Sequence, residues 1–188
     1  MPQAPRPLQE YEIAQSGVFL RLDSNQGSDR TNVTRLLQNW DVARFLARPP
    51  WPFRDEDYLD CPQSFEAGQI NMRWVIATAD NGPAVGLISL SGSIEEIELG
   101  YFLDPQVHGQ GIMTRAVKAL CAFAFAQLGV QCIALTAFHD NPASAKVAEK
   151  CDFGFQGMVE IKSVPRGNVL VPATAYKLTR QSYLDQLR

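Results

Sequence analysis

The chain has little of what marks metal, membrane or nucleic-acid proteins. Its four cysteines, Cys61, Cys121, Cys132 and Cys151, never fall in a CxxC spacing, and no histidine stands at zinc-ligand distance from one. That spacing argues against a zinc site, and buried thiols are the expectation, with catalysis or metal binding as the competing roles. No apolar run approaches the roughly 20 residues that span a bilayer. The stretch Met1–Pro7 has no apolar core of a signal peptide, so a reducing cytoplasm is the expected compartment. A net charge of −3 argues against nonspecific nucleic-acid binding, which draws on a basic patch. Neither nucleic acid nor membrane is an expected partner.

Two familiar phosphate loops are missing as well. The dinucleotide fingerprint needs a third glycine, but Gly109 and Gly111 are followed by Thr114 at that position. The ATP-type loop needs a lysine and a hydroxyl residue after its second glycine, and here Ile112 and Met113 follow.

What is present is Gln106-Val107-His108-Gly109-Gln110-Gly111, set between an apolar strand pattern (Leu99 to Leu103) and an amphipathic helix pattern. Ala116, Val117, Leu120, Phe123, Ala124 and Leu128 share one helix face, and Gly129 closes it. A glycine turn opening a helix offers unpaired N–H groups and the positive end of the helix dipole, which suits a pyrophosphate. With only two glycines, a tight turn without a ligand is an equally good reading.

The rest of the chain reads as one domain over 11–188 after a flexible lead over 1–10 that carries three prolines. Val18–Leu22 is a strand, followed by a helix capped by Asp29 or Thr31 that runs towards Trp40, with the apolar pattern continuing to Leu46. Trp74–Thr78 and Ala84–Leu90 flank an Asp80-Asn81-Gly82 hairpin turn, and Ser91-Gly92-Ser93 turns into the strand holding Glu96, Glu98 and Gly100. Cys132–Ala137 returns beside it as a parallel neighbour. Asn141 caps a helix with Pro142 in its first position, and two strands near 157–161 and 170–178 close the chain. The fold class is α/β: a mixed, mostly antiparallel sheet with helices on both faces.

Three motifs in order resemble the GNAT superfamily of N-acetyltransferases. Gln106, Gly109 and Gly111 match its pyrophosphate signature, and Glu98–Pro105 its fourth strand. Asn141-Pro142-Ala143-Ser144 with Glu149–Phe153 matches its next helix and turn, in the form typical of the RimJ and RimL ribosomal-protein N-acetyltransferases. The resemblance is strong over 70–160 and general before that. Asp152 stands where the family usually has glycine, a modest departure because Asp tolerates left-handed backbone.

The resemblance implies acetyl transfer from acetyl-CoA to a primary amine, either a protein N-terminus or a small amine, by direct attack. Backbone from Gln106 through Val107, His108, Gly109, Gln110 and Gly111 to Ile112 would wrap the pyrophosphate. The backbone of Phe102 and Leu103, with Asn141, would hold the pantetheine arm. Whether His108 bonds a phosphate or faces solvent stays open. The family's acceptor groove lies under the first two helices, which makes Trp40, Phe45, Trp51 and Phe53 acceptor-pocket candidates; core packing is the competing role for each.

Glu98 matches the subgroup's glutamate and is the candidate base, because a carboxylate beside an apolar cleft can accept a proton near neutral pH. Glu96 and Glu160 are alternatives. Many relatives carry a tyrosine seven residues after the asparagine as proton donor, and here that residue is Ala148. The subgroup's serine, three residues on, is Ser144, the candidate donor to the thiolate. His139-Asp140 beside Ser144 invites a triad reading, but no G-x-S-x-G elbow surrounds the serine. The competing function is a non-catalytic acyl-CoA-binding sensor, which needs neither Glu98 nor Ser144. Homodimers are frequent in the family, and no residue marks an interface.

Overall fold

The structure is a computed structural model describing residues 12–13, 17–23, 26–58, 64–66 and 68–187. The lead expected over 1–10, and Cys61, lie outside these residues. Among the described residues nine strands form one sheet: β1 (Glu12–Ile13), β2 (Val18–Leu22), β3 (Ser64–Glu66), β4 (Gln69–Ala77), β5 (Gly86–Ser93), β6 (Ile97–Leu103), β7 (Cys132–Phe138), β8 (Gly154–Ser163) and β9 (Val169–Thr179). Their order is β1-β2-β4-β5-β6-β7-β9-β8, with β3 pairing on β4. Every pairing is antiparallel except β6 with β7. That one parallel step follows from the long helix α3 (Ile112–Gln127) joining the two strands, since a parallel pair needs a crossover.

Strand alternation gives the sheet two unlike faces. Trp74, Ile76, Ile88, Leu90, Ile97 and Leu99 are buried with the apolar stripe of α3, and Trp74 meets Phe123 edge-on at 6.0 Å. The helix α4 (Pro142–Lys150) lies on the same face, contributing Ala148 to that core. On the opposite face Val75 and Leu87 pack against Val33 and Leu37 of α1 (Gly27–Leu37), with Phe53 and Tyr58 filling in. A short α2 (Trp40–Ala43) follows α1, and α5 (Arg180–Gln186) ends the chain.

Four details differ from the sequence reading. Gln26, not Asp29 or Thr31, is the N-cap of α1; Asp29 sits in the first turn instead, bonded to Arg21 Nε at 2.8 Å. The apolar pattern at 40–46 is not one long helix, because Asn39 starts a new one by accepting from the Asp41 N–H at 3.0 Å. Ser91, Gly92 and Ser93 do not turn but stay in β5. Gly92 can do so because its φ of +141° lets the Glu96 carbonyl approach where a Cβ would lie 2.7 Å away. Glu96 consequently falls outside β6 and pairs with Lys177, so it does not share a strand face with Glu98. Asp152 is left-handed at φ +62°, closing α4 in the conformation expected of it.

Candidate functional site

The parallel strands β6 and β7 are paired at only two positions, Ile97 with Ile133 and Glu98 with Ala134, and then diverge. A cavity of about 620 Å³ opens in the split, lined by β6 from Glu98 to Leu103, β7 from Leu135 to Phe138, the glycine turn and α4. The Asp104 N–H donates to the Val85 carbonyl at 2.7 Å, in phase with the β5–β6 register. Antiparallel alternation from that bond turns the backbone groups of Gly100 and Phe102 to β5, and those of Leu99, Tyr101 and Leu103 into the split. Gly86 allows the close fit, since a Cβ there would lie 2.5 Å from the Phe102 carbonyl. Of the two residues expected to hold an extended ligand arm, Leu103 therefore faces the cavity with its backbone. Phe102 does not, and Tyr101 takes its place.

At the end of β6 the Asp104 carboxylate caps a single 3-10 turn (Pro105–Val107) by accepting from the Gln106 N–H at 3.0 Å. Arg35 of α1 reaches the same carboxylate at 3.1 Å, tying α1 to the turn. Gly109 and Gly111 have φ of +78° and +71°, and Gly111 is the N-cap of α3. Only residues free of a Cβ take these angles without strain, and the result leaves the first N–H groups of a 16-residue helix facing outward. Val107, His108, Gly109, Gly111 and Ile112 line the cavity; Gln106 and Gln110 do not. His108 Nε2 lies 3.2 Å from the Leu103 carbonyl, folding the ring back on the strand end. Lys146 and Lys150, one turn apart on α4, also line the cavity. Their spacing is a signal a charge-pattern reading of that helix could have found.

Asn141 caps α4 by accepting from the Ser144 N–H at 3.3 Å. Ser144 is buried, and its Oγ lies 2.9 Å from the Tyr101 hydroxyl. Tyr101 comes from the β6 face that looks toward α3 and α4. Burial pushes the Tyr101 phenol well above its ordinary range, against a smaller opposing effect of the Ser144 bond. Thiols are poor alternatives for chemistry nearby. Burial raises Cys121 strongly and Cys151 to about 11, and the Cys151 thiol points to the Thr114 carbonyl at 3.6 Å.

Glu98 projects from the other face of β6, into the part of the cavity walled by Asp41, Val42, Arg44 to Ala47, Asp140 and Ile161. Its carboxylate is half exposed and paired with Arg48. Two further ion pairs border this side: Asp41 with Arg44 at 3.6 Å, and Asp140 with Arg166 at 2.9 Å. Arg166 belongs to the β8–β9 turn and also donates to the Arg44 carbonyl at 2.6 Å. The Val164 N–H reaches the Ala47 carbonyl at 2.9 Å, so this turn fastens the α2 segment over the cavity. Of the aromatic candidates only Phe45 lines it. Trp40 and Trp51 are exposed and lean on each other with centroids 5.0 Å apart, and Phe53 is core packing under α1. Glu160 is exposed on β8 and lies outside the lining. Among the described residues no group of three or more His, Cys, Asp or Glu could hold a metal ion.

The acetyltransferase (GNAT) domain model matches residues 20–154. A curated relative from Bacillus subtilis, the probable N-acetyltransferase YjcK, is 34% identical over 87 residues, 44% of this chain and 48% of that protein. The match thus spans about half the length of that relative. Among solved structures, the ribosomal-protein-S5-alanine acetyltransferase of Vibrio fischeri superposes with a TM-score of 0.70 at 17% identity, over 93% of this chain and 97% of its own. The spermidine N-acetyltransferase of Vibrio cholerae, solved with CoA and spermine, gives 0.71 at 18% identity over 90% and 99%.

Proposed function

This chain belongs to the GNAT acetyltransferase family, and on that premise we propose that it transfers an acetyl group from acetyl-CoA to a primary amine by direct attack. The observation that carries the proposal is the split between β6 and β7, with a phosphate-type turn at one end and a carboxylate and a hydroxyl on opposite faces beside it. The residues fit the donor. The turn from Val107 to Ile112 presents helix N–H groups to the pyrophosphate. The Tyr101 and Leu103 backbone offers a strand edge to the pantetheine arm, and the cavity of about 620 Å³ gives the arm room. Acetyl-CoA, when bound, supplies an acyl carbon joined to a good leaving group.

Glu98 takes the proton of the acceptor ammonium, directly or through one water. The amine nitrogen then bonds to the acyl carbon as the carbon–sulfur bond breaks; the electron pair leaves on sulfur, and the second proton of the nitrogen passes to the departing thiolate. Ser144, on the far side of the strand, gives the sulfur a hydrogen bond. A positioned base contributes about 10² to 10⁴ in rate.

The charge balance at the acceptor side supports an acceptor with a single ammonium, such as a peptide N-terminus, over a polyamine. Asp41, Glu98 and Asp140 each face an arginine, whereas several ammonium groups need carboxylates left unpaired. The test is a calorimetric titration with acetyl-CoA, with ATP and NAD as controls, followed by transfer assays on an alanyl peptide and on spermidine. Selective acetyl-CoA binding with transfer to the peptide is expected. Failure to bind acetyl-CoA overturns the reading; binding without transfer to either amine supports a non-catalytic sensor.

A further inference from the structure

We propose that Tyr101 is a positioning residue for the leaving group: its hydroxyl donates to Ser144 Oγ, which directs the serine's own proton at the sulfur. The inference rests on the acetyl-CoA reading above, and it adds a residue that neither the glycine turn nor the helix motif contains. Tyr101 lies on β6, 43 positions before Ser144, and the two hydroxyl oxygens are 2.9 Å apart, a contact in which either can donate; the Ser144 carbonyl is a longer alternative acceptor for the Tyr101 proton, at 3.4 Å. A serine hydroxyl has one proton and can send it in any of several directions. A donor fixed behind the oxygen occupies a lone pair and leaves the proton the open direction, into the cavity that both residues line.

Tyr101 suits that task because it keeps its proton. Its ring sits among the residues of the α3 and α4 core, where an ionised phenol is costly. The bond is also polarising, since a hydroxyl that accepts a hydrogen bond becomes a better donor. No proton leaves Tyr101 in the reaction. The sulfur departs with the electron pair of the broken carbon–sulfur bond and is held by the Ser144 hydrogen bond; one proton of the ammonium has gone to Glu98, and the second, released as the amide forms, ends on the sulfur.

The pair can be tested without knowing the acceptor, through the thiol of bound CoA. A hydrogen bond to the thiolate lowers the thiol's pKa. Thiolate absorbance is titrated as the difference between the CoA and desulfo-CoA complexes, which cancels the protein's own cysteines. The wild-type complex is expected to hold the thiol roughly one unit below free CoA. Tyr101→Phe recovers roughly half of that shift and Ser144→Ala all of it. The double variant matches Ser144→Ala, because Tyr101 acts only through the serine. Should Tyr101→Phe fail to fold, a ring-fluorinated tyrosine at position 101 keeps the shape, strengthens the donor and lowers the bound thiol further. A Tyr101→Phe complex that titrates like wild type, additive effects in the double variant, or a wild-type complex whose thiol matches free CoA each overturn the inference. Failure of wild-type protein to bind CoA overturns the acetyl-CoA reading itself and is seen before any variant is made.

Discussion

The two sides of β6 are built from different materials. The side facing α3 and α4 is made of backbone: a turn with two left-handed glycines, an exposed helix start, a strand edge, and the buried Tyr101–Ser144 contact behind them. The side facing α2 is made of long charged side chains that meet across the chain, Arg48 on Glu98 and Arg166 on Asp140. Backbone geometry is fixed once the fold forms, because it is held by the sheet and helix hydrogen bonds themselves. Exposed ion pairs are worth only about 0.2–1 kcal/mol each and exchange readily. A site divided in this way can keep one co-substrate constant and let the other vary.

The sharpest way to separate the two sides is Glu98→Gln. It keeps the shape of the side chain and removes the proposed base, on the face away from the glycine turn. We expect kcat at neutral pH to fall about 10² to 10³-fold with the acetyl-CoA Kd unchanged. Measuring both by steady-state kinetics and calorimetry decides the matter. A parallel loss of acetyl-CoA affinity would mean that the two sides are not independent.

Gly111→Val strikes the other side. Its φ of +71° is costly for any residue with a Cβ and worse for a branched one, and the added Cβ would meet Arg115 Nη1 at 3.3 Å. A penalty of about 1–2 kcal/mol on the conformation that presents the helix N–H groups is roughly five- to thirtyfold in acetyl-CoA affinity. Turnover at saturating acetyl-CoA should change little. If kcat collapses while Kd holds, the turn serves something other than donor binding.

How much of this could be read from the sequence follows the same division. The glycine turn, the helix after it, the Asn141-Pro142 start of α4 and the left-handed Asp152 were legible, because each is set by a few adjacent residues with strong backbone preferences. Phe102 was assigned to the ligand arm, whereas it is the Tyr101 backbone that faces the split, since a one-residue error in strand phase reverses every backbone direction. The hydrogen bond between Tyr101 and Ser144 joins two elements through the crossover and has no local signature. Trp40, Trp51 and Phe53 looked alike as aromatics near two short helices. Only the fold separates a buried Phe53 from a pair of exposed tryptophans and leaves Phe45 as the ring at the cavity. The arginine partners of Glu98 and Asp140 come from 50 and 26 positions away, and no periodicity reports such pairs.

The acceptor side should respond least, and in a way that salt controls. Arg48 is paired with the Glu98 carboxylate, so an ammonium that approaches the proposed base has to displace it. Both side chains are at least half exposed, and an exposed pair contributes at most about 1 kcal/mol. Arg48→Ala should therefore lower the KM of an alanyl peptide by roughly fivefold or less, leaving kcat and acetyl-CoA affinity where they were. The gain should shrink as ionic strength rises, because screening weakens the competing pair in the wild-type protein too. An increase in KM would reverse the assignment, since Arg48 would then be gripping the acceptor rather than guarding the base.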